Sequence, residues 1–442
     1  MLKKTSIIVF ALLIASIAMA PSPGFAAGPD LRLRPDDGVP GESIAVRGRD
    51  FSAGANGTVT WESIEEPVGE FTADDEGDFE ITITVPDVPA GDYTVTATSG
   101  DESADDRFTI EAGESESNTA ATPPPDWIVD ATPAVATSFE NLCESGSLRD
   151  VPVANAAELT DALAAAQPGD RIVLGDGLYG GNFVGEVDGT ESEPIAICGT
   201  REAVIDGGGW EHSGYALHIT ADYWFVGGIT VTNAQKGVML DDSNHSIIDG
   251  IEVHTIGHEA IHLRTHSSDN IVANNEIHDT GLDNEKFGEG VYIGTAVSNW
   301  EKYSDGEPDR SDRNQVLENR IWNTSSESID LKEGTEGGLV EGNSFDGTGM
   351  TGADSWVDVK GNNYVIRGNT GVNAPQDGFQ THVIDNMEWG TNNLFEQNHA
   401  TVNADGVGFY IHQPESTTNV VRCDNIVEDA SAVSNLDPPC SQ

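Results

Sequence analysis

Lysine is nearly absent from this sequence. Beyond the leader-like first residues only five remain in a chain of 442, so any position that keeps one stands out. Basic residues as a class are few: 21 Lys and Arg stand against 75 Asp and Glu, a formal charge of -54. That balance excludes the basic surface with which nucleic-acid-binding proteins neutralise phosphates. Self-repulsion of this size is largely screened near 1 M salt, where the Debye length is roughly 3 Å. The composition is therefore that of a protein adapted to high salt. Cysteine is also sparse. Cys143, Cys198, Cys423 and Cys440 form no CxxC pair, which argues against a thiolate metal site. Their even number suits disulfides in an oxidising exterior, with Cys423 and Cys440 one natural pairing. Long apolar runs are missing after residue 27, so no segment reads as a membrane span.

What is present begins with an export layout. Lys3 and Lys4 precede an apolar run from Ser6 to Ala20, followed by the small-residue sites Ala18-Met-Ala20 and Phe25-Ala-Ala27. This predicts a secretory signal over residues 1–27 and an extracellular protein. Residues 28–112 hold short alternating runs, Ser43–Arg47, Gly57–Trp61, Phe79–Val85 and Tyr93–Ala97, separated by Gly, Pro and Asp turns. They predict an immunoglobulin-like β-sandwich. Residues 113–135 read as a linker, rich in Glu, Ser, Thr, Ala and Pro. A helix is expected from Asn155, with Glu158 three residues on and Leu159, Ala162 and Leu163 on one face.

Residues 136–442 carry a repeat. Its centres are Val238-Met-Leu240, Ile261-His-Leu263, Val291-Tyr-Ile293, Ile329-Asp-Leu331, Val357-Asp-Val359, Phe379-Gln-Thr381 and Phe409-Tyr-Ile411. First and third residues are mostly apolar, the period of a strand with one buried face. The spacing of about 22 to 38 residues is that of a solenoid. Asn275, Asn319, Asn343, Asn369, Asn398 and Asn425 recur after a second strand, where stacked asparagines satisfy backbone groups at a tight corner. The predicted fold is all-β: a right-handed parallel β-helix behind the N-terminal immunoglobulin-like β-sandwich.

Stacked coils turn sequence slots into neighbours about 4.8 Å apart. The outward column then collects His262, Arg264, Tyr292, Asp330, Lys332, Asp358, Lys360, Gln380, His382, Tyr410 and His412. Glu259, Glu289 and Glu327 form a ladder two residues before the inward apolar position. Like charges at that spacing call for a cation among them, and oxygen-only ligands favour calcium over zinc. His258-Glu-Ala-Ile-His262 spells H-E-x-x-H, but that motif works only on a helix. On a strand its histidines would stand about 13 Å apart.

Lys332 and Lys360 share one slot, with Arg264 and His382 along the same strip, and such a strip suits a polyanionic chain. In β-elimination of a uronate, a cation neutralises the C6 carboxylate, a base takes the C5 proton and an acid assists the departing oxygen. Calcium on the glutamates and Lys332 as base fill these roles, with His382, Tyr292 or Tyr410 exchanging protons. Nearby carboxylates raise a lysine pKa, whereas a base needs it lowered. His262, Asp330, Asp358, Gln380 and His412 would contact substrate, and Trp300, Tyr303 and Trp389 would stack on sugars at the rim. Paired Asp330 and Asp358 permit a glycoside hydrolase instead, and a β-helix that only binds polysaccharide is a third reading.

Ala156–Tyr179, followed by Glu193-Pro-Ile-Ala-Ile197 and Ala203-Val-Ile-Asp-Gly207, resembles the opening of secreted β-helix polysaccharide lyases, pectate-lyase-like and closest to family 6, the alginate lyase and chondroitinase B group. The resemblance covers roughly residues 150–425. It implies a lyase acting on an acidic polysaccharide. In that family a calcium-binding glutamate precedes the catalytic lysine by five positions, as Glu327 precedes Lys332. Lys360 stands where the family has an arginine, and Ser325 stands where it has a second glutamate, leaving that role to Glu289 or Glu259. The expectation is a monomeric exported enzyme with calcium as cofactor and no nucleic-acid or membrane partner.

Overall fold

The computed structural model describes residues 29–110 and 141–441, apart from short stretches at 35–36, 39–42, 50, 63, 65–66, 75–76, 87, 89–90, 101, 212–213 and 385–387. The expected leader and linker lie outside the described residues. The chain divides into two compact units, Met1–Ala121 and Thr122–Gln442.

In the first unit a three-stranded sheet and a five-stranded sheet share one core. The alternation seen in the sequence puts Val46, Val59, Trp61, Val95 and Phe108 inside. Phe71 and Phe79 stack at 3.6 Å between ring centroids. This is the sandwich expected from the period-two pattern.

The second unit is a right-handed parallel β-helix with faces of eleven, ten and nine strands. Every complete coil adds one strand to each face, in parallel register with the coil before, and the incomplete end coils account for the unequal counts. On the nine-stranded face the inward slot runs Val238, Ile261, Val291, Ile329, Val357, Phe379, Phe409. Branched aliphatics fill the middle, and Phe379 stacks on Phe409 at 5.1 Å toward the C-terminal end. Each fully buried aliphatic contributes about 1.5–3 kcal/mol.

The asparagine ladder forms as the sequence predicts. Each backbone N–H from Asn275 to Asn398 donates to the side-chain oxygen of the next asparagine, ending at Asn425, at 2.9–3.1 Å. Each Nδ2 also reaches that oxygen. A second corner, with Asn270 and Asn314 bonded in the same way, was not legible beforehand.

The helix Ala156–Ala164 is capped by Asn155, which accepts from the Glu158 N–H at 3.1 Å, while Glu158 accepts from the Ala154 N–H at 2.8 Å. Leu159 and Leu163 are buried against the first strands, so the helix covers the open end of the stack. Disulfides Cys423–Cys440 and Cys143–Cys198 tie down the two ends of the β-helix, the first being the pairing expected from sequence.

Candidate active site

The outer surface of the nine-stranded face presents three parallel slots. The first carries Tyr215, Lys236, Glu259, Glu289 and Glu327. The second runs His218, Met239, His262, Tyr292, Asp330, Asp358, Gln380, Tyr410. The third holds Arg264, Gly294, Lys332, Lys360, His382 and His412, each donating its backbone N–H to the coil before from Gly294 on. The expected exposed strip is in fact largely buried. Asp330 is 1% exposed, and the Lys332 and Lys360 side chains 12% and 14%. Side chains three slots wide shield one another, which a single-strand reading does not count.

At the centre the charges pair. Lys332 Nζ lies 2.5 Å from Asp330 Oδ2, and Lys360 Nζ lies 2.9 Å from Asp330 Oδ1 and 2.5 Å from Asp358 Oδ2. His382 Nδ1 donates to Asp358 Oδ1 at 2.7 Å. Lys332 Nζ also faces the Tyr292 ring, 4.9 Å from its centroid. Burial works against the ammonium of Lys332, but Asp330, Glu289 and Asp358 outweigh it and hold its pKa above the ordinary lysine value. Lys360 is held protonated by Asp330 and Asp358 in the same way, again against burial. Burial would raise the Asp358 pKa, yet Lys360 and His382 hold it well below the usual carboxylate range. His382 shifts upward because its bond to Asp358 overcomes burial. Burial and the charges of Asp330 and Glu289 push the Tyr292 phenol well above its usual value, so it keeps its proton.

Beside this network, Glu289, Glu327 and Asp330 each offer a carboxylate oxygen within 4.8 Å of the others. Glu289 Oε2 is buried without a hydrogen-bond partner. Burial first, then Glu259, Asp330 and Glu327, push the Glu289 pKa far up. Burial and Asp330 push Glu327 up to about 7. A buried oxygen in this state needs a proton or a cation, and an all-oxygen set fits calcium. Glu289 and Glu327, with Asp330 as third member, are the residues that could hold such an ion.

Several expectations are corrected. Glu259 lies outside that converging set: Lys236, one coil earlier in the same slot, donates to its Oε1 at 2.9 Å, while its Oε2 is buried without a hydrogen-bond partner. Arg264 stands apart from the lysines, clamped by Asp241 through Nε at 2.6 Å and Nη2 at 3.0 Å. Buried His262 donates from Nε2 to the Gly294 carbonyl at 2.9 Å. Burial and then Lys236 lower its pKa to about 3, so it is neutral. Gln380 is buried and donates to Asp377, and His412 Nδ1 accepts from the Val383 N–H. Tyr410 is half-buried, next to Gln380 in register.

Trp300 and Trp389 do not line the rim: they are 7% and 5% exposed, and Trp300 donates to the Thr295 carbonyl. Large aromatics in an insertion anchor it to the scaffold, whereas Phe287, whose ring lies 5.3 Å from that of His258, is 46% exposed. Asp330 and Asp358 both pair with Lys360, and the charges of Lys360 and His382 keep Asp358 from being the protonated acid a glycoside hydrolase needs. His258 precedes the strand Ile261–Arg264 and turns to Asp283, leaving no H-E-x-x-H metal geometry. Lys236 and Asp241 were missed, although they flank the first repeat centre, Val238-Met-Leu240, and stand in register with Tyr215 and Arg264.

Residues 144–296 match the family described as Pel9A-like, right handed beta helix region. The crystal structure of alginate lyase from Paenibacillus sp. str. FPU-7 is 38% identical with a TM-score of 0.61, covering 65% of this chain and 97% of that one. The chain belongs to the pectate-lyase-like family of right-handed β-helix polysaccharide lyases. Pectate lyase L of Dickeya chrysanthemi is 25% identical over 231 residues, 48% of this chain and 51% of that protein. Pectate lyase L of Dickeya dadantii (strain 3937) is 24% identical over 250 residues, 52% of this chain and 55% of that protein. The chain therefore spans about half the length of the pectate lyases it matches.

Proposed function

We propose that this protein is an exported lyase that cleaves a uronic-acid polysaccharide by β-elimination, with calcium bound at Glu289, Glu327 and Asp330. One observation carries the reading: a lysine and a protonated tyrosine in adjacent coils stand beside a buried carboxylate with an unpartnered oxygen. The bound ion would neutralise the C6 carboxylate and so acidify the C5 proton.

Asp330 belongs to both the carboxylate set and the Lys332 ion pair. To act as base Lys332 must first release its proton to solvent, and a cation held by the carboxylate set would offset the negative charges that keep that proton in place, because an opposite charge is what raises a lysine pKa. Lys332 then takes the C5 proton. Tyr292, which keeps its own proton, gives it to the O4 leaving oxygen as the C4–O4 bond breaks and the C4–C5 double bond forms. Lys360 and His382 hold Asp358 and Asp330 in place and fix the floor on which the sugar lies.

The alginate lyase above makes alginate the first polymer to assay, with pectate second. The test follows ultraviolet absorbance of the unsaturated product in high salt, with and without a chelator. Product from the wild-type chain and none from Lys332→Ala supports the reading. Saccharide release without such absorbance would establish a hydrolase, and binding without any product a non-catalytic protein.

A further inference from the structure

The insertion 294–314 is rooted at a buried polar cell that the elimination chemistry leaves unused. Ile293 pairs with Leu331 in register, and the Lys332 N–H donates to the Ile293 carbonyl at 2.9 Å. A Cβ on Gly294 would stand 3.4 Å from Lys332 Cβ, so these two residues lie side by side and the next pair is Thr295 with Glu333. Each member of that pair is 3% exposed.

Glu333 Oε1 accepts from the Val297 N–H at 2.7 Å, whereas its Oε2 is buried without a hydrogen-bond partner. Thr295 Oγ1 is buried and unpartnered as well, although the Thr295 carbonyl accepts from Trp300 Nε1 at 2.8 Å. Two oxygens thus lie in neighbouring slots without bonding each other. The insertion presses on the turn that follows: a Cβ on Gly334 would come within 2.9 Å of the Asp309 backbone and 3.2 Å of Trp300 Cζ2.

Charge decides what such a cell takes. Glu333 joins no ion pair among the described residues, and the cations of the adjoining slot are engaged, Lys332 by Asp330 and Arg264 by Asp241. The Asp309 carboxylate is already met by the N–H groups of Thr265 and His266 and by the Ser311 hydroxyl. One buried carboxylate is left uncompensated, and a buried charge is costly until a counter-charge reaches it. Calcium gathers about six to eight oxygens, commonly including several carboxylates. A single carboxylate beside a hydroxyl balances a monovalent ion instead. Sodium, which is hard and has nearly the radius of calcium, can bridge oxygens set one slot apart, about 4.8 Å.

We propose that Glu333 and Thr295 bind a sodium ion that fastens the root of the insertion 294–314 to the coil carrying Lys332. The site is separate from the Glu289, Glu327 and Asp330 set and independent of which polymer is cleaved.

The test is hydrogen exchange of the full chain, followed peptide by peptide with a chelator present, in sodium, potassium or choline chloride at about 1 M. General screening is the same in the three salts, so a difference between them reports the ion itself. Sodium is expected to slow exchange within 294–314 by about tenfold relative to choline, the factor for an ion at about ten times its Kd. Glu333→Gln, which keeps an acceptor for the Val297 N–H, and Thr295→Val should each remove most of that effect. No difference between sodium and choline in the wild-type chain overturns the site, as does a difference that survives in both variants. Protection by potassium equal to that by sodium overturns the choice of sodium, and protection that appears only when calcium replaces the chelator overturns a monovalent ion. Should Glu333→Gln melt earlier than wild type in choline chloride, the Thr295→Val variant decides by the same criterion.

Discussion

Lys360 Nζ stands 2.9 Å from Asp330 Oδ1, one coil away in space and thirty residues away in sequence. The same ammonium reaches Asp358 at 2.5 Å, so one cation holds two buried carboxylates of adjacent coils together. Lys360→Met removes the charge and leaves both carboxylates with less compensation. It should destabilise the β-helix by about 3–5 kcal/mol, the usual cost of breaking a buried pair from one side. Chemical denaturation checks this, and a midpoint equal to wild type would show the pairs to be incidental.

Lys332→Ala should reduce formation of ultraviolet-absorbing product by about 10²–10⁴-fold, the range of a lost general base. Tyr292→Phe should act in the same direction, since the phenol supplies the leaving-group proton. Initial rates on alginate and pectate measure both. Undiminished turnover by Lys332→Ala excludes this residue as the base.

Calcium should raise the melting temperature of the wild-type chain by mass action, because the three carboxylates converge only in the folded state. Glu289→Gln and Glu327→Gln should each abolish most of that rise. Thermal melts across a calcium series give the answer independently of activity. Equal calcium responses in all three chains would place the ion elsewhere.

Without added divalent cation, stability should fall as pH rises through the Glu327 titration. Its folded pKa is about 7 against an ordinary 4.5, so the folded state binds the proton more tightly than the unfolded state. The contribution is complete below about 4.5 and is lost by about 7, amounting to roughly 3 kcal/mol at about 1.36 kcal/mol per pH unit. Glu327→Gln should flatten this part of the profile. Parallel wild-type and variant curves between those limits would refute the assignment.

Asn319 donates to the Val272 carbonyl and to Asn343, and accepts from the backbone and side chain of Asn275. Asn319→Ala strands several buried polar groups at about 1–3 kcal/mol each. The expected loss is at least about 3 kcal/mol, read from denaturant midpoints. A cost below about 1 kcal/mol would mean that water replaces the ladder.

The alternation of apolar residues, the recurring asparagines and the Asn155 cap were all legible in the sequence, because each depends on neighbours along the strand or at a fixed slot. Stacking translates one coil into the next with little rotation, so a slot in sequence becomes a column in space. Lys332, Tyr292, Glu289 and Glu327 were found in that way.

The chain by itself thus determined the coil, its register and which residues share one face. Only the tertiary structure decided which charges pair, since a side chain in a column has candidates above, below and beside it. Lys236 pairs with one oxygen of Glu259, Asp241 pairs with Arg264, and Asp330 faces both lysines and the carboxylate set. Burial was equally invisible beforehand. The insertion 294–314 folds Trp300 inward, and the crowding of three slots sinks Asp330 below the surface. Charge effects depend on that depth, because a low-dielectric surrounding strengthens pairs and penalises any charge without one.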